Sequence, residues 1–115
     1  MFKTVFKINT FVAINVYELT DEQIEKVVAK MEEIGVSVKP RYRFSKTVQE
    51  HIKQRNASFD NRYCLGLNLL YIFYSHYHKC WDWTLHLTSE DMRDMGGTIY
   101  GYDDFLEIDQ TLPLE

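Results

Sequence analysis

Two neighbouring runs of alternating side chains constrain the fold of this chain more than any other feature of its sequence. Apolar or aromatic residues fill every second position over residues 63–73 and again over residues 81–87, where polar residues stand between them. A period of two is typical of β-strands, because successive side chains of a strand point to opposite faces of a sheet. The short polar segment 75–79 between the runs predicts a hairpin. We expect Tyr71, Phe73, Trp81 and Trp83 to share the face that is turned toward the core.

A third alternating run begins near the first residue, since every even position from 2 to 16 is apolar or threonine. We expect one long or bulged strand over residues 2–16, and the alternative is a hairpin with its tip at Asn9 and Thr10. Phe11 and Ala13 make the odd positions apolar as well. This predicts that the strand is covered on both faces at that point.

The first helix carries start and stop signals at both ends. Thr20 and Gln23 form a capping box, which satisfies backbone N–H groups that the first helical turn leaves unpaired. Gly35 provides the left-handed residue that ends a helix. Between them, five apolar residues recur at helical spacing and predict a single buried stripe. These residues are Ile24, Val27, Val28, Met31 and Ile34.

The remaining elements are shorter. We expect a strand at 36–38, a surface helix that Thr47 and Glu50 cap, one or two helical turns that begin at 89–92 and end at Gly96 and Gly97, and a last strand at 98–102. The resulting order is β-α-β-α-β-β-α-β. It predicts a single α+β sandwich over residues 1–115, with a mostly antiparallel sheet, two or three helices on one face and an irregular tail at 109–115. A ferredoxin-like or split-βαβ arrangement is the nearest named architecture.

Composition places the chain among small globular proteins. Its 115 residues are 45% hydrophobic and 26% charged, enough to build a core and too apolar for disorder. The first residues lack the apolar segment of a signal peptide, and the longest apolar run has only about ten residues where a membrane-spanning helix needs about twenty. Two cysteines are too few for a disulfide framework. We therefore expect a cytoplasmic protein with no membrane contact.

One loop gathers residue types that bind metals. His76, His78 and Cys80 are spaced so that an extended backbone would present them on one face, and imidazole with thiolate suits zinc. A metal-dependent enzyme at this loop is one alternative function. Cys64 cannot complete the set, because a hairpin centred near residue 77 leaves it roughly 34 Å along the neighbouring strand. We expect no cofactor and interpret the loop as exposed and polar.

A basic segment gives the other alternative, a nucleic-acid-binding protein. Residues 39–62 hold seven Lys or Arg against two carboxylates, and cations alternate with aromatic rings at its start. The candidate residues are Lys39, Arg41, Tyr42, Arg43 and Lys46. In a strand the cations and rings would lie on opposite faces, so they could not hold one ligand together. An edge strand with charged outward residues explains the pattern equally well.

The C-terminal quarter is acidic, with eight carboxylates against one arginine over residues 89–115. No phosphate-binding loop accompanies the carboxylates, and no nucleophile has a recognisable base. Exposed tyrosines are typical of protein interfaces, and an acidic surface attracts a basic partner. We therefore expect a non-enzymatic protein-interaction module, a small acidic regulator or inhibitor whose partner has a basic surface, such as a nucleic-acid-handling protein. The predicted partner-binding residues are Tyr77, Tyr100, Tyr102, Asp103, Asp104 and Glu107.

The opposite charges of the two regions also predict a homodimer. One expected arrangement places the strand at 98–102 beside residues 36–44 of the same chain, which would neutralise both regions internally. In the homodimer, the charges pair between two copies, and Tyr100 and Tyr102 would supply the buried area.

Overall fold

A computed structural model describes residues 11–39, 46–58, 67–85 and 97–113. Its described part has a four-stranded sheet and three helices, which confirms the predicted α+β class. The predicted segments 2–10, 40–45, 63–66 and 86–96 lie outside the described residues. The strands are β1 (Phe11–Asn15), β2 (Leu69–Ser75), β3 (Cys80–Thr84) and β4 (Gly97–Tyr100). The helices are α1 (Asp21–Ile34), α2 (Val48–Ser58) and α3 (Tyr102–Leu106).

The sheet has the order β3-β2-β1-β4 and is mostly antiparallel. Strand β2 runs antiparallel to both β1 and β3, whereas β4 runs parallel to β1. The predicted strand at 36–38 is reduced to a single bridge between Val36 and Trp81, beside β3. Because β4 lies at the opposite edge, the expectation that the last strand lies beside residues 36–44 is wrong. The comparison with ferredoxin-like folds stays a prediction.

The main core lies between one face of the sheet and the three helices. The whole predicted stripe of α1 is buried there, from Ile24 to Ile34. Helix α2, predicted as a surface helix, contributes Val48 and Ile52 to this core, and both side chains are buried. Apart from Ala57, its other side chains are polar.

The two faces of β2 are reversed relative to the prediction. Leu70, Ile72 and Tyr74 face the main core, and Tyr74 pairs directly with Trp81 across the hairpin. Tyr71 lies on the other face and packs with the buried residues Phe11 and Ala13 in a second cluster. Both faces of β2 carry apolar or aromatic residues from Leu69 to Tyr74, so periodicity alone could not choose between them. The prediction that β1 is covered on both faces at Phe11 and Ala13 is confirmed.

Helix α3 was not predicted, and the predicted strand at 98–102 ends two residues early to make way for it. Strand β4 ends at Tyr100, and Gly101 is the N-cap of the helix. Two carboxylates in its first turn favour helix there, since the N-terminal end of a helix carries partial positive charge. Phe105 is fully buried against Tyr100, with ring centroids 6.5 Å apart.

Residues 108–113 have no helix or strand, yet hydrogen bonds fix them to the core. The N–H of Leu112 donates to the carbonyl oxygen of Ile34 over 2.8 Å. The indole N–H of Trp81 donates to the carbonyl oxygen of Pro113 over 2.7 Å. The predicted irregular tail therefore lacks regular structure as far as residue 113, but it is part of the packed domain.

The capping box of α1 yields a first prediction. The N–H of Gln23 donates to Thr20 Oγ1 at 3.2 Å, and the N–H of Thr20 donates to Gln23 Oε1 at 2.9 Å. We expect Thr20→Ala to lower the free energy of unfolding by about 1 kcal/mol, because it removes the hydroxyl that accepts the hydrogen bond from the N–H of Gln23. Urea unfolding measures the change. Thr20→Ser keeps the hydroxyl and should be nearly neutral, and an equal loss in both variants would contradict the role of the hydroxyl.

A second prediction concerns Trp81. Trp81→Phe keeps an aromatic ring in the core but removes the hydrogen bond to Pro113. We expect a loss of about 2 kcal/mol in the free energy of unfolding, from the missing bond together with imperfect packing. Hydrogen exchange at the Leu112 amide should accelerate by more than this global change explains. Trp83→Phe is the matched control at a half-buried tryptophan. Equal effects of the two substitutions would contradict a special role for the hydrogen bond from Trp81 to Pro113.

Candidate functional site

The turn between β2 and β3 is the most exposed part of the sheet and carries the first candidate site. We call residues 76–79, with the sequence His-Tyr-His-Lys, the hairpin tip. Tyr77 is 90% exposed, more than the other exposed large hydrophobic residues of the described part, Leu67 at 46% and Ile99 at 52%. The predicted hairpin is therefore present, with Ser75 paired to Cys80 at its base.

Local contacts fix the conformation of the hairpin tip. The N–H of His78 donates to Ser75 Oγ at 3.2 Å. The ring of His76 packs edge-on against Tyr74 at 5.1 Å between centroids, and the ring of His78 packs against Tyr77 at 4.8 Å. The tip thus presents an aromatic ring from a defined turn whose ends are held by paired strands.

The same contacts separate the three predicted metal ligands. His76 and His78 each stack on a different tyrosine, and Cys80 is half-buried at the start of β3. Within the residues described, no three His, Cys, Asp or Glu side chains are grouped so that they could hold a metal ion. The expectation of no cofactor stays a prediction.

The predicted partner-binding residues do not form one surface. Tyr100 is only 2% exposed, so its assignment to an interface is wrong. Its register opposite Ile14 places it on the face that the helices cover. Tyr102 is half-buried against the same core, whereas three carboxylates on or next to α3 are exposed. These are Asp103, Asp104 and Glu107.

The hairpin tip and α3 lie at opposite ends of the sheet. Strand β4 ends at the row that joins Tyr100, Ile14 and Leu70, and the tip follows Ser75 at the far end of β2. Five residues of strand separate the two rows, which is about 17 Å. Tyr77 and the α3 carboxylates therefore belong to two separate surfaces of opposite local character.

Of the basic segment at 39–62, the structure describes Lys39 and residues 46–58, which include α2. Arg41, Tyr42 and Arg43 lie outside the described residues, while Lys39 and Lys46 are exposed. Lys46 donates a hydrogen bond to Gln54. Farther along, Lys53 forms an ion pair with Asp21 at 3.5 Å, so part of the positive charge of this region is used within the chain.

A network of asparagines, which the sequence did not predict, joins α2 to the sheet. Asn68 is the buried polar residue of the described part, 1% exposed just before β2. Its Nδ2 donates to Asn56 Oδ1 at 2.7 Å, and its Oδ1 accepts from Arg55 Nε at 3.1 Å. Asn56 Nδ2 donates to the carbonyl oxygen of Val16, and the N–H of Asn68 donates to Asn15 Oδ1.

This network is a structural joint. Among the residues described, every buried side-chain nitrogen and oxygen has a hydrogen-bond partner, so none is left to bind a ligand. Beyond the network, the pKa of the Tyr17 phenol is raised by loss of solvent and then by the nearby Glu18 carboxylate. The one sequence signal for the network was Asn68 itself, a polar residue within an apolar run. Its neighbours in sequence did not indicate which side chains it would bond.

Described residues also line a shallow open groove beside the C-terminal end of α1. Its lining includes Glu32, Gly35 and Val36, with Lys39 at one end. It is wide open to solvent and brings together no group of side chains suited to catalysis.

Comparison with protein-family models, characterised proteins and solved structures finds no match to this chain. In the parts of the chain that the structure describes, no helix has the length and apolar composition needed to cross a membrane.

A third prediction tests the asparagine joint by a double-mutant cycle. Asn68→Ala leaves Asn56 and Arg55 without their partner, and we expect a loss of about 2–3 kcal/mol in the free energy of unfolding. Asn56→Ala breaks the same joint from the other side. The double variant should be less destabilised than the sum of the two single variants by more than about 0.5 kcal/mol. Additive losses in urea unfolding would show that the two amides act independently.

Proposed function

We propose that this chain is a protein-interaction module, a small acidic regulator or inhibitor that acts by binding another protein, and that the hairpin tip is its main contact. The observation that carries the proposal is the 90% exposure of Tyr77 at the end of a well-supported hairpin. A large ring in this position gains most by being buried in a partner.

The geometry of the hairpin tip supports a binding role. Tyrosine gives a large contact area and has few rotatable bonds, so little conformational entropy is lost when it is immobilised. The turn is already ordered by the Ser75 hydrogen bond and by the ring contacts of His76 and His78. A preorganised loop binds more tightly than a flexible one, because less ordering remains to be done.

The overall charge supports a role for long-range attraction. The chain has a formal net charge of −4, and the α3 carboxylates Asp103, Asp104 and Glu107 are exposed. Such a surface raises the association rate with a basic partner, such as a nucleic-acid-handling protein. Because α3 is far from the hairpin tip, it would steer the encounter and contact a different part of the partner. The expected location of such a regulator is the cytoplasm.

The proposal keeps the predicted homodimer but no longer places its contact at the last strand. With Tyr100 buried, a homodimer through the last strand loses the area it was expected to use. The two surfaces of opposite local charge remain available on separate ends of the molecule.

The fourth prediction tests the hairpin tip as an interface. A photoreactive benzoylphenylalanine replaces Tyr77 in one variant, Ile99 in a second and Leu67 in a third, and each is irradiated in lysate of the source cells. We expect a crosslinked protein band at position 77 that is absent or several-fold weaker at the other two positions. All three positions are exposed and hydrophobic, so they differ mainly in their place in the fold.

A competition experiment completes the test. Excess wild-type chain should suppress the band at position 77, and excess Tyr77→Ala chain should suppress it much less. Equal suppression by the two competitors, or equal labelling at all three positions, contradicts the proposal. Circular dichroism should show that Tyr77→Ala is folded, since this side chain is not part of the core.

A further inference from the structure

We infer that Lys79 determines the specificity of this contact, and that the hairpin tip binds a carboxylate-bearing site on the partner protein. The inference rests on the proposed function, because it names the chemistry that the tip recognises. It concerns a residue that was not among the predicted sites.

The charge around Tyr77 is the first support. Residues 75–81 contain a lysine and two histidines but no carboxylate, although the chain as a whole is acidic. Lys79 is exposed, and its ammonium group makes no ion pair with the part of the chain that is described. The next carboxylate in sequence, Asp82, is half-buried, and its Oδ1 accepts a hydrogen bond from the N–H of Trp83 at 2.8 Å. The tip therefore presents a cation beside an aromatic ring.

The backbone at Lys79 is the second support. Its φ is +55°, in the left-handed region that side chains other than glycine and asparagine adopt at some cost. Glycine is favoured at such a position of a hairpin turn. A lysine here lowers the stability of the fold, and it contributes nothing to the core in return. Glu18 shares this conformation, so the strain alone does not identify a function; what distinguishes Lys79 is its place beside the exposed ring of Tyr77.

The aromatic content favours a protein over a nucleic acid as the partner. Single-stranded nucleic acid is bound by several rings that stack on successive bases, along a groove with positive charge. The hairpin tip offers one fully exposed ring, and His78 packs edge-on against it. One ring with one cation beside it fits an apolar pocket that has a carboxylate at its rim.

Glu18 provides a matched control for the experiment. It is the other residue besides glycine with positive φ in the described ranges, at +59°, and it lies in the turn between β1 and α1. Both Lys79→Gly and Glu18→Gly should raise the urea midpoint of unfolding, because glycine relieves the left-handed conformation. Only Lys79→Gly removes charge from the hairpin tip.

The test measures the yield of the crosslink from benzoylphenylalanine at position 77 in lysate of the source cells, with and without nuclease treatment. We expect the Lys79→Gly background to lower the yield several-fold and Lys79→Glu to lower it further, with Lys79→Arg and Glu18→Gly close to the original. The yield should also fall as salt is raised, because salt screens exposed charges.

The outcomes separate the inference from the proposed function. An unchanged yield in the Lys79→Glu background overturns the inference and leaves the hairpin tip as an uncharged contact. Loss of the band on nuclease treatment overturns it in favour of a nucleic-acid partner. If no band forms at position 77 even with Lys79 present, the proposed function itself fails.

Discussion

The burial of one indole ring, that of Trp81, joins parts of the chain that lie far apart in sequence. Trp81 is 1% exposed and packs against Tyr74 within the hairpin. Its backbone bridges Val36 just after α1, and its N–H holds Pro113 near the other end of the described chain. The hairpin, the first helix and the C-terminal segment therefore share one contact. The same ring anchors the strand that carries the exposed tip, so the position of Tyr77 depends on it.

The sequence predicted best those features that local interactions determine. Helix α1 begins after Thr20 and ends at Gly35, as its caps require, because both signals act within one turn of backbone. The α+β class and the hairpin followed from periodicity. The face of β2 that turns inward could not be predicted, since Leu70 and Tyr71 are both apolar and only the packing of α1 and α2 distinguishes them.

The candidate site divides in the same way. The exposed loop around Tyr77 was predicted from polar residues between two strands, a local pattern. The burial of Tyr100 follows from its parallel register against β1 and from Phe105 in a helix that was not predicted. The asparagine network joins residues that lie far apart in sequence, Asn15, Asn56 and Asn68. One sequence alone does not indicate which of its amide side chains will form hydrogen bonds with each other. Charge was a poor guide to the tip, because the acidic sum conceals a locally basic turn.

The parallel pairing of β1 with β4 has a consequence for how the chain folds. The hairpin β2–β3 needs only residues that are neighbours in sequence, so it can form as soon as it leaves the ribosome. Strand β1 is made much earlier, yet one of its two edges is paired by β4, the last strand of the described residues. During synthesis that edge stays unpaired until residues 97–100 have emerged, and contacts of such long range slow folding. Until β4 pairs with it, β1 exposes an edge whose residues are all apolar up to Ile14, and such an edge is prone to aggregation.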